Sequence, residues 1–596
     1  MSEYLPPLRD MEFVLAELAG MERLAALPGF EEATPELVSS VLAEAGRIAE
    51  EVLSPLNRIG DRQGARLADG KVRTADGWDH AYRALVEGTW IGLANESRWG
   101  GMGLPCLVGT AVIEMWQSAN MAFALCPMLT QGAANAIEAC GSEEQKALYL
   151  PKLVSGEWTG TMNLTEASAG SDLGAIRTKA VRDGDSWRIT GQKIFITYGD
   201  HELTENIVHL VLARTPDAPA GVKGISLFIV PKFLVNPDGS LGVRNDVACV
   251  SLEHKLGIHG SPTAVMSFGD HGGALGTLVG EENRGLEYMF VMMNHARLNV
   301  GVQGLAVAER AYQQALGYAR ERVQGRPAGQ AQATPIVEHP DVRRILMSMK
   351  ARIEAMRALA YVEAAELDRA HHHPDPAERA AALRHAEFLN PVVKGWCTEQ
   401  GVDIASLGVQ VHGGMGYVEE TGAAQHYRDS RITPIYEGTT AIQANDLVNR
   451  KILRDKGATA HAVLVEAEAL AGELSGSGDL RITAIGHALA EGIDAARRGV
   501  DWVLAAAAGG DARLPAGAAV PLLDLLGVVL GGHQMARAAR AAAARLAAGA
   551  ADDGFLDAKI ATAWHYAETI LPRAGALAVA IAGGTPTVMA VPADLL

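Results

Sequence analysis

Residues 431–450, Arg-Ile-Thr-Pro-Ile-Tyr-Glu-Gly-Thr-Thr-Ala-Ile-Gln-Ala-Asn-Asp-Leu-Val-Asn-Arg, place one carboxylate, Glu437, between Tyr436 and Gly438. Two hydroxyls, Thr439 and Thr440, follow, and then an apolar pattern of helical period begins. Glycine beside the carboxylate permits a sharp turn and close approach of a ligand. Thr439 or Thr440 can cap the helix that follows, whose N-terminus favours an anion. From spacing alone the stretch reads either as a capping loop with an exposed glutamate or as a turn that presents a general base.

Around this stretch the chain is long and ordinary in composition. Its 596 residues exceed a single core and suggest about three or four domains. Apolar residues make up 48% and charged residues 20%, a globular profile, and aromatics are only 5%. The balance of 52 basic against 70 acidic residues is −18, without a dense Lys/Arg run, which argues against a nucleic-acid partner. Five cysteines without a Cys-x-x-Cys spacing read as reduced, buried thiols of a cytoplasmic protein. The first residues lack a basic region followed by an apolar run, so no signal peptide is expected. Residues 574–592 are the best candidate for a membrane span, but two prolines favour a packed terminal helix, and no integral membrane segment is expected.

The pattern along the chain changes several times. Residues 1–34 form a leader. Residues 35–158 read as helix, with Thr34 and Pro35 opening one segment and a Ser142/Gln145 capping box opening another. Residues 159–282 alternate and are rich in β-branched side chains, including Trp187–Thr197, Ile207–Arg214 and Gly224–Pro231, which predicts a compact β domain. Helix returns at Gly285 and runs unbroken for about 40 residues, a length suited to a bundle, so 283–454 reads as a second helical domain. Residues 455–596 are Ala-rich helices forming an appended domain. His371, His372 and His373 look like a metal cluster, yet no spaced Cys or His partners support one, and no metal is expected.

Five further segments carry chemistry-bearing residues: Thr161-Met-Asn-Leu-Thr-Glu-Ala-Ser-Ala-Gly-Ser-Asp, Lys193-Ile-Phe-Ile-Thr, Asn294-His-Ala-Arg, Ala319-Arg-Glu-Arg-Val-Gln-Gly-Arg and Gln410-Val-His-Gly-Gly-Met-Gly-Tyr. Each alone is a weak motif. Together with Ile-Tyr-Glu-Gly-Thr-Thr, and in this order, they resemble the acyl-CoA dehydrogenase family over residues 40–455. The leader and the appended domain resemble a long bacterial subgroup that includes methylmercaptopropionyl-CoA dehydrogenases. The resemblance implies an α+β fold: an N-terminal helical domain, a middle β-barrel-like domain and a C-terminal four-helix bundle, plus the appended helical domain.

It also implies roles. Glu437 would remove the α-proton of an acyl-CoA thioester while the β-hydrogen leaves as hydride to flavin N5, giving a trans-2-enoyl-CoA. FAD would be held by Met162, Leu164, Thr165, Gly170 and Ser171, by Phe195 and Thr197, by Arg322, by Gln410, Gly413 and Gly414, and by Gly438 and Thr439. Ser171, Asn294, Arg297, Tyr436, Glu437 and Gly438 would meet the substrate. A dry site would raise the Glu437 pKa toward the working range. The sequence departs from the family pattern in several places: Ala167 replaces a proline, Phe195 a tryptophan and Gly325 a phenylalanine, the loop after Gly325 is longer, and His339-Pro340 stands where the family has His-Gln. An electron-transfer flavoprotein would be the acceptor, and the appended domain points to a homodimer. The substrate would be a fatty acyl-CoA or 3-methylmercaptopropionyl-CoA. The alternatives are an acyl-CoA oxidase using oxygen and a non-enzymatic CoA-binding scaffold.

Overall fold

The computed structural model of the chain describes residues 4–329 and 331–596. These form two compact units, one comprising Glu44–Leu104 and Met115–Asn299, the other the chain up to Ala43, Pro105–Glu114 and Val300–Leu596. The division falls inside two long helices, Cys106–Cys140 and Gly285–Glu321.

The first unit pairs short helices with a curled sheet. Helix Glu143–Ser155 opens with the reciprocal cap expected from its sequence, Ser142 and Gln145 each bonding the other's backbone N–H. Eight strands follow, with spatial order Val247–Leu252, Thr263–Phe268, Ser186–Thr197, Ala274–Leu278, Ser226–Pro231, Asn206–Ala213 and Trp158–Asn163, while Lys179–Asp183 pairs with Ser186–Thr197. All pairings are antiparallel except Trp158–Asn163 with Asn206–Ala213. The 12-residue strand Ser186–Thr197 takes Ala274–Leu278 along its first half and Thr263–Phe268 along its second, which curls the sheet. Strand Asn206–Ala213 is buried on both faces, so it reads as a continuous apolar run without alternation. Trp187, Phe228 and Phe268 fill the core beneath it.

The second unit is helical. Thr34 caps helix Pro35–Ile48 through Leu37 N–H at 3.2 Å. The long helices Pro340–His372 and Pro376–His412 run beside the later turns of Gly285–Glu321, which ends at Glu321, a few residues before its periodicity does. Gly304 and Gly401 make the approach close: a Cβ on Gly304 would stand 2.4 Å from the Cys397 carbonyl. The appended helices dock on the same bundle. Trp396 lies flat against Gly527, where a Cβ would meet its ring at 2.2 Å.

Helix Arg513–Ala547 is long and apolar enough to cross a membrane by length and composition, and 67% of its apolar window is buried inside the protein. The sequence pointed instead to 574–592, where the structure has a short helix, Arg573–Val579, and an exposed tail at Val588 and Met589. All five cysteines are free; Cys126, Cys249 and Cys397 are buried, and Cys106 and Cys140 are partly exposed. The three histidines at 371–373 have separate duties: His371 bonds the Leu367 carbonyl, His372 lies over the Phe30 ring, and His373 accepts from Asp375 N–H.

Glu363 lies wholly inside the bundle, where Asn390 donates to it at 2.7 Å. Burial pushes its pKa up from 4.5 to about 8. The folded state therefore keeps a proton that the unfolded chain releases. The resulting stability is fully present below about 4.5 and is lost as pH rises through about 8. Glu363→Gln removes this dependence. Denaturant unfolding between pH 5 and pH 9 should show the wild type losing on the order of a few kcal/mol relative to the variant; parallel pH profiles would sink the assignment.

Candidate active site

In the helical unit, Glu437 is half-buried and has φ +54, a left-handed conformation that is uncommon for a residue with a Cβ. Gly438 follows at φ +89. Glycine takes such a conformation without steric penalty, whereas the left-handed Glu437 costs of order 1–3 kcal/mol and needs external restraint. The restraint is visible. Lys394, wholly buried, donates from Nζ to the Gly438 carbonyl at 2.7 Å, and Gln443 Nε2 donates to the Glu437 carbonyl at 3.0 Å. A Cβ on Gly438 would stand 2.8 Å from that same Gln443 nitrogen. Thr439, not Thr440, is the cap of helix Thr440–Asp446, accepting from Ile442 N–H; Thr440 instead donates to Glu399 at 2.6 Å. Tyr436 bonds the buried Gln303 through its hydroxyl, and burial raises its pKa strongly.

Two other expected segments lie in this unit. Gln410, Gly413 and Gly414 end helix Pro376–His412 at the surface, with Gly413 at φ 61, ψ −140, a backbone open only to glycine. Nothing lies within 4 Å of the space a Cβ would fill at Gly413 or Gly414. Arg322, just past helix Gly285–Glu321, is exposed and touches Gln324 at 3.2 Å.

In the β-rich unit, the Thr165 loop and the Phe195 strand are brought together. Ile194 N–H donates to the Thr165 carbonyl at 2.9 Å. Between Lys193 and Ile196 the strand bulges, two residues facing one on the partner. Phe195 stands in that bulge at φ +61 and is 58% exposed. It is therefore not a strand-core residue, the plain alternative for an aromatic in a β run. Thr197 is partly buried two residues on.

Beneath them is an ion pair that sequence reasoning passed over. Lys193 Nζ meets Glu166 at 2.8 Å and the Leu164 carbonyl at 3.0 Å, and Glu166 also accepts from Thr178 and Arg177. Burial draws Lys193 down to about 8, opposed by Glu166. Burial works against the Glu166 carboxylate too, but Lys193 and Thr178 hold it below its ordinary value. Met162 is partly buried and Leu164 buried, while Gly170 and Ser171 are exposed on the outer loop. Arg297 is 4% exposed, bonds Asn294 at 3.4 Å and lies near the Phe290 ring.

Lys394, Gln443 and Gln303 were likewise missed. Glu166, Lys193, Gln303 and Gln443 stood inside or beside the segments already singled out, whereas Lys394 lies apart from them and carries no local signal.

In the β-rich unit the exposed Phe195 offers a flat apolar surface, and in the helical unit the open turn at Gly413 and Gly414 leaves room beside the backbone. Family models of the acyl-CoA dehydrogenase N-terminal domain match residues 41–157, of its middle domain 161–271 and of its C-terminal domain 283–452, while an acetyl-CoA dehydrogenase C-terminal-like model matches 459–592. The chain is 52% identical to a 3-methylmercaptopropionyl-CoA dehydrogenase of Ruegeria pomeroyi over 96% of its own length and 97% of the relative's. The chain belongs to the acyl-CoA dehydrogenase family. It is 36% identical, over 96% of both chains, to a broad-specificity linear acyl-CoA dehydrogenase of Mycobacterium tuberculosis. The fold is also that of an acyl-CoA dehydrogenase from Bacillus anthracis solved with FAD, with TM-score 0.73 and 22% identity over 95% of this chain and 90% of that one. Members of this family are FAD-dependent oxidoreductases.

Glu166→Gln would leave the buried Lys193 ammonium without its counter-charge. Loss of about 3–5 kcal/mol of stability is expected, with weakened flavin retention on gel filtration. Wild-type melting and a full flavin complement would show that the pair does not hold this loop.

Proposed function

We propose that this chain catalyses the α,β-dehydrogenation of an acyl-CoA thioester, with Glu437 as the base. The observation that carries the reading is the strained Glu437–Gly438 turn, held by Lys394 and Gln443. A chain does not keep a carboxylate in a left-handed turn by local preference; backbone strain of this kind concentrates at functional sites. Glu437 takes the α-proton and becomes a neutral carboxylic acid, and the β-hydrogen departs as hydride, leaving a trans double bond between the α and β carbons. FAD, when bound, supplies the hydride acceptor. Developing charge on the thioester oxygen needs donors placed before the reaction, and the Glu437 backbone N–H is the proposed one. Tyr436, Asn294, Arg297 and Ser171 are proposed to position the substrate.

For the cofactor, the proposed contacts on the β-rich unit are Met162, Leu164, Thr165, Gly170 and Ser171, with Phe195 and Thr197. Those on the helical unit are Arg322, Gln410, Gly413 and Gly414, with Gly438 and Thr439. Arginine suits a phosphate through paired N–H donors, and the open glycine turn leaves room for a pyrophosphate to approach.

The substrate reading follows the 52% identical relative: a short thioester of the size of 3-methylmercaptopropionyl-CoA. Linear fatty acyl-CoA is the second reading, supported by the 36% identical relative. An electron-transfer flavoprotein is the proposed acceptor, a homodimer the proposed assembly and the cytoplasm the proposed location. The working domain division is 35–158, 159–282, 283–454 and 455–596.

Anaerobic mixing of the purified yellow protein with acyl-CoAs differing in length and sulfur content tests this. The wild type should bleach fastest with 3-methylmercaptopropionyl-CoA. Glu437→Gln should keep its flavin and lose bleaching by at least about a thousandfold, in line with removal of an essential base. Undiminished bleaching in that variant would remove Glu437 from the mechanism, and rapid peroxide formation in air would make the protein an oxidase.

A further inference from the structure

Apart from the Glu437 turn, the helical unit surrounds a cavity of about 630 Å3, a size typical of small-molecule sites. It is walled by the leader, by bundle helices Pro340–His372 and Pro376–His412, and by appended helices Ala458–Ser475 and Arg513–Ala547. His533 and Arg537 stand one turn apart on the last of these and both line the cavity. His533 is 4% exposed, and its ring makes no hydrogen bond among the described residues. Burial and the nearby Arg537 lower its pKa to about 3, so the ring is neutral and carries one N–H.

Arg537 is partly buried and donates to two neutral oxygens, Gln534 Oε1 at 2.7 Å and the Leu18 carbonyl at 2.6 Å. No carboxylate reaches ion-pair distance of it among the described residues. The acids lining the cavity are otherwise engaged or open to solvent. Glu366 pairs with Arg369 at 2.9 Å, Glu17 reaches Arg545 at 3.5 Å, and Glu466 is exposed. Glu466 and Glu366 act on Arg537 only from a distance, and a guanidinium withdrawn from water with no carboxylate in contact is costly. An anion would relieve that cost and give the His533 ring a partner. Leu359, Val463 and Leu530 supply an apolar wall beside the two polar groups.

We propose that this cavity binds a small aliphatic carboxylate, its head on Arg537 and His533 and its chain along Leu359 and Leu530. The proposal stands independently of the Glu437 chemistry. Isothermal calorimetry and thermal shift on the flavin-loaded protein, with octanoate, octan-1-ol and inorganic phosphate as probes, provide the test. Octanoate should bind one to one and raise the melting temperature. Octan-1-ol and phosphate should bind at least tenfold more weakly. Arg537→Met should weaken octanoate at least tenfold, and Val463→Trp, which fills the cavity and leaves Arg537 in place, should abolish binding. Should Arg537→Met not fold, Val463→Trp decides alone. Octanoate binding that survives cavity filling overturns the proposal. So does equal binding of phosphate, or the absence of any shift at millimolar octanoate.

Discussion

The helical unit is organised around one buried guanidinium. Arg357 is 2% exposed at its side chain and meets Glu114 through Nε at 2.9 Å and through Nη2 at 2.6 Å, Glu309 at 2.8 Å, and Asp10. Tyr361 donates to Glu114 at 2.7 Å, and Lys559 bridges Asp10 to Glu354. Five stretches of chain converge here: the leader, the start of helix Cys106–Cys140, the later turns of Gly285–Glu321, helix Pro340–His372 and helix Phe555–Thr569. None of these charges can be removed singly without stranding another in a medium of low dielectric, where an unpaired ion costs several kcal/mol. Such a cluster accepts one arrangement and penalises the alternatives. It therefore sets the register in which the appended helices meet the bundle, and hence the frame on which the Glu437 turn and the cavity at His533 are built.

Both units use the same device at their chemical loops. In one, a buried lysine, Lys193, reaches a backbone carbonyl, Leu164, and a carboxylate, Glu166, beside an aromatic in left-handed backbone. In the other, a buried lysine, Lys394, reaches the Gly438 carbonyl beside a glutamate in left-handed backbone. A buried ammonium must satisfy its donors, so it pulls polar backbone toward itself. The stiffness that keeps Glu437 and Phe195 in disfavoured conformations comes from those donors and not from the loops' own preferences. Preorganisation of this kind is what the proposed proton transfer from a weak carbon acid would require, because a base must be in place before charge develops.

Much of the fold was legible because local signals were strong. Ser142 with Gln145, Thr34 with Pro35, and the unbroken period from Gly285 each correspond to a physical device that acts within a few residues. The end of helix Gly285–Glu321 was less so: apolar period continues past Glu321, but the chain turns there so that Arg322 and Gln324 can pair with the strand-like segment before Ile336. Burial of Arg513–Ala547 was illegible for a related reason. Its composition suits a lipid or a protein interior equally, and Trp396, over a hundred residues earlier in the chain, supplies part of the surface that covers it.

By itself the sequence determined the order of helical and β segments, the family pattern of short motifs, and the residue types that any thioester chemistry would use, since these depend on neighbours in the chain. Tertiary structure alone decided that Phe195 is turned outward on a bulge, that Glu437 is strained and its turn tied to Lys394, that Arg357 neutralises three acids, and that Arg537 has no carboxylate in contact among the described residues. Those facts depend on which distant side chains share a low-dielectric interior, where the cost of an unpaired charge or an unbonded donor is paid by the fold as a whole and leaves no mark on any short stretch of sequence.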